Sequence, residues 1–151
     1  MTAAQVTVLA TETATATAGR EGRARSADGK VDLQLSPPGS NGPGSNPEQL
    51  FAAGYAACFG GAVGLAAKLA EMSVTPSDIK VTATVKLNKD DSVPLGSGFF
   101  IGATLNVEIA GVEQAKLEGL VAKAHTICPY SKATKGNIEV KLQANGKDMR
   151  G

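Results

Sequence analysis

A chain of 151 residues with a formal charge of +1 and 19% charged residues has room for a single domain, and it lacks the electrostatic footprint of a nucleic-acid or anionic-membrane binder. Its apolar runs are broken by small polar residues and glycine, and MTAAQVTVLATETATATAG lacks the basic-then-apolar layout of a secretory signal, so a soluble, cytoplasmic protein is expected. Two cysteines in a reducing compartment point to packing or redox chemistry rather than to a structural staple.

From Val6 to Thr17, small, β-branched and apolar residues alternate, which predicts a half-buried strand. Asp28-Gly29 stands between RARS and the alternating Val31, Leu33 and Leu35, so a hairpin turn is expected and the first three strands form a meander. SPPGSNGPGSN, Ser36 to Asn46, is a loop with room to move, and it lacks the lysine and strand-to-helix context of a phosphate cradle. Asn46, Pro47 and Gln49 form a helix start, followed by LFAAGYAACFGGAVGLAAKLA. That body is apolar or small around nearly its whole circumference, which predicts a central helix covered on all sides, partly by a second copy of the chain. Gly54, Gly60, Gly61 and Gly64 each weaken it by about 1 kcal/mol, a cost that close approach of another backbone would offset.

Alternation at Ile79–Leu87 and Phe99–Ile109 predicts a second hairpin with NKDDSVPLGSG as its loop. Leu117, Leu120, Val121, Ala124 and Cys128 share one helical stripe that ends at Pro129, and NIEVKLQ reads as a final strand. The fold class is α+β in the order βββαββαβ, with antiparallel sheets around a buried central helix, one domain over residues 1–151, and an intertwined homodimer.

Cys58 or Cys128 taken alone is more often an inert small hydrophobe. Together, on the inner faces of two helices, they suit a reversible disulfide if the fold brings their Cα atoms within about 7 Å. His125, the only histidine, stands one turn before Cys128 but just off the apolar stripe, so a surface or boundary histidine is favoured over a Cys-His nucleophile pair. Asp90 and Asp91 have no further clustered ligands and are expected to be solvated rather than metal-binding.

TATATAGREGRARSADG, NPEQLFAAGYAACF and HTICPYSKATKGNIEV, in that order over nearly the whole chain, resemble the organic hydroperoxide resistance branch of the Ohr/OsmC family. The loop before the central helix is short for that branch and the one before Phe99 long. The resemblance implies a thiol peroxidase that reduces organic hydroperoxides to alcohols. Cys58 is then the peroxidatic cysteine and Cys128 the resolving cysteine, with Arg20 and Glu48 as the family's arginine and glutamate. It also implies no bound cofactor, the dihydrolipoyl group of a partner protein as reductant, and a homodimer. Without the family, Arg20 is a solvated turn arginine and Glu48 a carboxylate favoured by the helix dipole.

An apolar helix disfavours a thiolate, so a cation must compensate, and a carboxylate can hold a guanidinium by two parallel bonds so that it faces the sulfur. Ten residues separate Glu48 from Cys58, about 15 Å of helical rise and about 80° of rotation. Either the helix breaks near Gly54, or Glu48 and Arg20 reach Cys58 from the other chain of a dimer. Phe51, Tyr55 and Phe59 supply an apolar pocket wall for an organic chain. The alternatives are an OsmC-type peroxidase of the same family, a non-enzymatic thiol redox sensor, or a binding module with inert core cysteines.

Overall fold

A computed structural model describes residues 4–94 and 96–149, arranged as two compact units, residues 1–47 and 48–151. The first contains the expected meander: β1 (Ala14–Thr17), β2 (Arg23–Ser26) and β3 (Asp32–Gln34) form an antiparallel sheet in that order. The β2–β3 turn contains the Asp-Gly pair, with the left-handed position at the glycine. Gly29 takes a φ of 74°, and the Asp28 carboxylate accepts bonds from the Ser26 hydroxyl (2.7 Å) and the Lys30 N–H (3.0 Å).

The first strand is shorter than its alternation suggests. β1 pairs from Ala14↔Ser26 to Thr17↔Arg23, and the ladder ends just before Ala14, where the Thr13 carbonyl accepts the Ala27 N–H at 2.9 Å. Val6, Val8 and Leu9 accordingly lie outside any strand and are 86%, 77% and 93% exposed. The Ser36–Asn46 loop folds back on itself. Leu35 and Ser45 form an isolated bridge, and the Ser36 hydroxyl accepts the Gly44 N–H at 2.9 Å.

The second unit is organised around α1 (Pro47–Leu69), which starts at the expected proline and runs unbroken through Gly54. By length and composition it could cross a membrane, but here its inner face carries the core residues Tyr55, Phe59, Val63, Ala66 and Ala67. Full burial of an aromatic or aliphatic side chain contributes roughly 1.5–3 kcal/mol. The core of the second unit packs on one side of this helix. Ala53, Ala57, Gly61, Leu65 and Leu69, spaced by four, form an exposed stripe.

Within the chain, three of the glycines of α1 face side chains rather than another backbone. A Cβ on Gly54 would lie 2.9 Å from the Tyr130 hydroxyl, and those on Gly60 and Gly64 would meet Val81 and Ile79 at 3.6 Å, while one on Gly61 would meet nothing within 4 Å.

The hairpin of β4 (Ile79–Lys89) and β5 (Phe99–Ile109) pairs in register from Ile79↔Ile109 to Lys89↔Phe99. Lys80, Thr82, Thr84 and Lys86 alternate outward along β4, the outermost strand. After α2 (Gln114–Ile127) and the short α3 (Pro129–Thr134), β6 (Val140–Ala144) pairs parallel to β5, and β7 (Lys147–Asp148) closes antiparallel on β6. The expectation of purely antiparallel sheets is therefore corrected. A parallel neighbour needs a long crossover, and α2 with α3 supplies it.

Candidate active site

Cys58 sits in the middle of α1, half-buried, one turn after Tyr55 and beside the fully buried Phe59. Cys128 is where α2 must end, because the residue before a proline is pushed from helical to extended backbone. Its φ and ψ are −60° and 123°, its N–H still closes on the Ala124 carbonyl at 2.8 Å, and its carbonyl accepts the Lys132 N–H of α3 at 3.0 Å. Cys128 is thus the corner between two helices, with no exposed surface.

This corner points the second sulfur at the first. The Cys128 thiol donates to Cys58 Sγ at 3.4 Å, a contact between two free thiols. Burial pushes the Cys58 thiol above its ordinary value; the Tyr130 N–H, directed at the sulfur, pulls it down, and the neighbouring Cys128 pushes it up again. Among the described residues of the second unit, no cation acts on that thiol.

His125 is a boundary residue, as expected, and does not bond Cys128. Its Nδ1 lies 2.8 Å from Ser131 Oγ, and burial, followed by repulsion from Lys135, holds its pKa below the usual imidazole range. Ser131 Oγ also lies 2.9 Å from the Tyr55 hydroxyl, itself 3.1 Å from Thr134 Oγ1. Sequence reasoning missed this hydroxyl chain, whose only signal is the placement of Tyr55, His125 and Ser131 each three residues from a cysteine.

Of the three aromatic residues assigned to a pocket wall, Tyr55 and Phe59 are fully buried, and Phe51 lines a cavity of about 390 Å³ with Ile101, Tyr130, Asn137 and Ile138. Tyr130 was not foreseen. Its ring packs 6.1 Å from Phe51 and 5.7 Å from Tyr55 between centroids, over the space left by Gly54, while its backbone serves the Cys58 sulfur. A larger hollow of about 880 Å³ beside Gly60, Gly61 and Gly64 includes neither sulfur in its lining.

Arg20 is exposed on a 3₁₀ turn, Gly19–Glu21, in the first unit. The turn is tight: Ala18 and Gly19 have φ of 60° and 55°, and a side chain at Gly22 would collide with the Thr17 carbonyl. Glu48 lies in the first turn of α1, and because that helix continues unbroken to Cys58, about 15 Å of rise separates the two. The break near Gly54 considered from the sequence does not occur. Among the described residues no group of three or more His, Cys, Asp or Glu is placed to hold a metal ion.

Comparisons with known proteins agree with this arrangement. The OsmC-like protein family matches residues 39–143. An organic hydroperoxide resistance protein of Xanthomonas axonopodis pv. citri is 46% identical over 139 residues, covering 89% of this chain and 94% of that one. The organic hydroperoxide resistance protein OhrA of Bacillus subtilis is 46% identical over 140 residues, covering 89% and 95%. The crystal structure of OhrB of Bacillus subtilis superposes with a TM-score of 0.83 at 44% identity, over 91% of this chain and 100% of that chain. With two sheets, a central helix and a cysteine on each side of the helix-to-helix contact, the chain belongs to the OsmC-like family, in its organic hydroperoxide resistance branch.

Proposed function

We propose that the protein is a cytoplasmic thiol peroxidase for alkyl or lipid hydroperoxides, in which Cys58 is oxidised and Cys128 resolves it. The observation that carries this is the 3.4 Å contact between a half-exposed thiol and a sealed one. The Cys58 thiolate attacks the outer peroxide oxygen, the O–O bond breaks, and the alkoxide takes a proton and leaves as the alcohol. Cys58 is left as a sulfenic acid. Cys128 sulfur then attacks Cys58 sulfur; the S–O bond breaks, and the hydroxyl departs as water with the proton from Cys128. A dihydrolipoyl dithiol of a partner protein returns both electrons by two thiol–disulfide exchanges.

The raised pKa of Cys58 within its own unit demands a cation from elsewhere. Arg20, held by Glu48, is assigned that role, and a second copy of the chain supplies both, since the unbroken α1 keeps Glu48 about 15 Å from the sulfur of its own chain. The exposed stripe Ala53, Ala57, Gly61 and Leu65 supports a two-fold partner, because Ala53, Ala57 and Gly61 are small and spaced by four, which lets another helix approach, and Leu65 adds exposed apolar surface. Full activity in an obligate monomer would overturn this arrangement.

Arg20 does more than ionise the thiol. Lowering a thiol from about 8.5 to about 5.5 raises the thiolate fraction at pH 7 roughly 30-fold, yet the weaker nucleophile loses roughly 15- to 30-fold. Its main contribution is therefore to orient the peroxide and stabilise charge on the leaving oxygen. In Arg20→Lys the peroxidase rate is expected to fall roughly 100-fold, well beyond the change in thiolate fraction measured by ultraviolet titration. A rate that merely tracks that fraction would refute the assignment.

The cavity beside Phe51 and Tyr130 is mostly apolar, with Thr134 and Asn137 as polar residues in its lining, and it favours an organic chain. At about 0.8 kcal/mol per methylene, four buried methylenes favour an organic over an unsubstituted peroxide on the order of 200-fold. Thiol titration after hydroperoxide addition tests the whole scheme. Loss of two thiols per chain is expected, with turnover on dihydrolipoamide and little on glutathione; a sensor would lose the thiols without turning over, and inert core cysteines would lose none.

A further inference from the structure

α3 has six residues, too few to hold a helix by its own backbone bonds, yet it carries the Tyr130 N–H on the Cys58 sulfur and fixes the corner at Cys128. What anchors it is polar and buried. Ser131 is 1% exposed, Thr134 5% and Tyr55 not at all, and Ser131 Oγ bonds at once to Tyr55 of α1 and His125 of α2. Three helices are pinned at one hydroxyl.

The spacing ties that pin to the sulfurs. Tyr55 precedes Cys58 by three residues, His125 precedes Cys128 by three, and Ser131 follows Cys128 by three, so each partner lies about one turn from a cysteine. The hydrogens also close. With a neutral imidazole, Thr134 donates to Tyr55, Tyr55 to Ser131 and Ser131 to His125 Nδ1. With a charged imidazole the chain runs in reverse, and Thr134 donates to the Ser131 carbonyl at 3.2 Å. Both states satisfy every hydroxyl, so the anchor survives a change in histidine charge.

We propose that Ser131, with Tyr55 and His125, is a positioning clamp that holds the Cys128 sulfur on Cys58 and thereby sets the rate of disulfide closure. The proposal rests on the peroxidase assignment but concerns its second step. None of the three touches a reacting atom in the step as written. Apolar side chains would fill the same volume without the desolvation that buried hydroxyls incur, and what a satisfied polar network adds is a single geometry. A misplacement on the order of 1 Å costs such a step roughly 100-fold.

The experiment is rapid-mixing oxidation of Ser131→Ala and the wild type with cumene hydroperoxide, following sulfenic acid by dimedone capture and disulfide by mass. In Ser131→Ala the ratio of closure rate to first-oxidation rate is expected to fall roughly 10- to 100-fold, with sulfinic acid accumulating at Cys58. An unchanged ratio overturns the clamp. Tyr55→Phe, which keeps the ring, provides the same measurement should Ser131→Ala not fold. His125→Asn, with an oxygen near the Nδ1 position, is expected to close faster than His125→Leu, which a merely space-filling role would not produce.

Diamide separates the two ideas. Cys58 sulfur adds across its N=N bond, and Cys128 displaces the hydrazine to give the disulfide without any peroxide chemistry. A wild type inert to cumene hydroperoxide would sink the peroxidase assignment alone. Diamide closure slowed in Ser131→Ala would still support the clamp, and equal closure would overturn it.

Discussion

The two units of this chain are built on opposite principles. The three-stranded sheet of the first unit has no fully buried position in any strand; among the described residues of that unit, Leu35 and Ser36, just past β3, are the buried ones. The second unit packs Tyr55, Phe59, Leu105, Leu117 and Cys128 to complete or near-complete burial. A small sheet without an apolar face gains little stability from its own burial. The difference teaches what each kind of packing can hold: the two sulfurs sit in a dry core that fixes their contact, whereas Arg20 stands exposed on a tight turn.

The sharpest way to break this comparison is at the sulfurs. Cys58→Ser is expected to lose at least ~10³-fold in hydroperoxide turnover, while Cys128→Ser retains a first oxidation and fails to recycle, as stopped-flow with a dithiol reductant would reveal. Equal effects of the two would erase the division of labour between them.

Packing offers a finer test, through two glycines of one helix. Gly54→Ala places a methyl against the Tyr130 ring, so about 1–3 kcal/mol of overpacking opposes about 1 kcal/mol of helix propensity; a net loss of about 1 kcal/mol is expected by urea denaturation. At Gly61, where nothing lies within 4 Å, the same change is expected to stabilise a monomer by about 1 kcal/mol. If that gain reverses at concentrations where sedimentation shows a dimer, a second copy covers the stripe.

Smaller still is the effect of pH through His125. Its folded pKa is depressed by burial and by Lys135, so the unfolded chain takes up more protons once the pH drops below about 6.5. Stability is therefore expected to be constant above that value and to decline below it until the folded imidazole titrates. Denaturation midpoints at several pH values should show the decline, and His125→Asn should flatten it. Least of all, Arg23 Nε bonds Asp32 at 2.6 Å between exposed neighbours of the open sheet, and Arg23→Gln is expected to change the melting temperature slightly at low salt and not at high salt.

What the residues disclosed in advance follows from how each element is specified. The β4–β5 hairpin was legible in outline because alternation sets both strands, and the loop between them falls where Asp, Pro and Gly cluster. Alternation fixes a face but not a partner, which is why Val6, Val8 and Leu9 looked like strand and are not. Direction was equally hidden, since Val140 and Leu142 alternate in the same way whether β6 runs parallel or antiparallel to β5. The cysteines were visible as inward-facing, but their contact depends on the bend that Pro129 imposes between α2 and α3. Ser131 and Tyr130 had no periodic signal; their roles arise from that bend.

The long outer strand β4 has a consequence for assembly. Eleven residues of open ladder are a template on which other chains, including damaged ones, could add without limit, and such edge-to-edge growth yields strings rather than closed pairs. Lys80, Lys86 and Lys89 stand exposed along that edge and make its propagation unfavourable, which leaves association to surfaces that close on themselves.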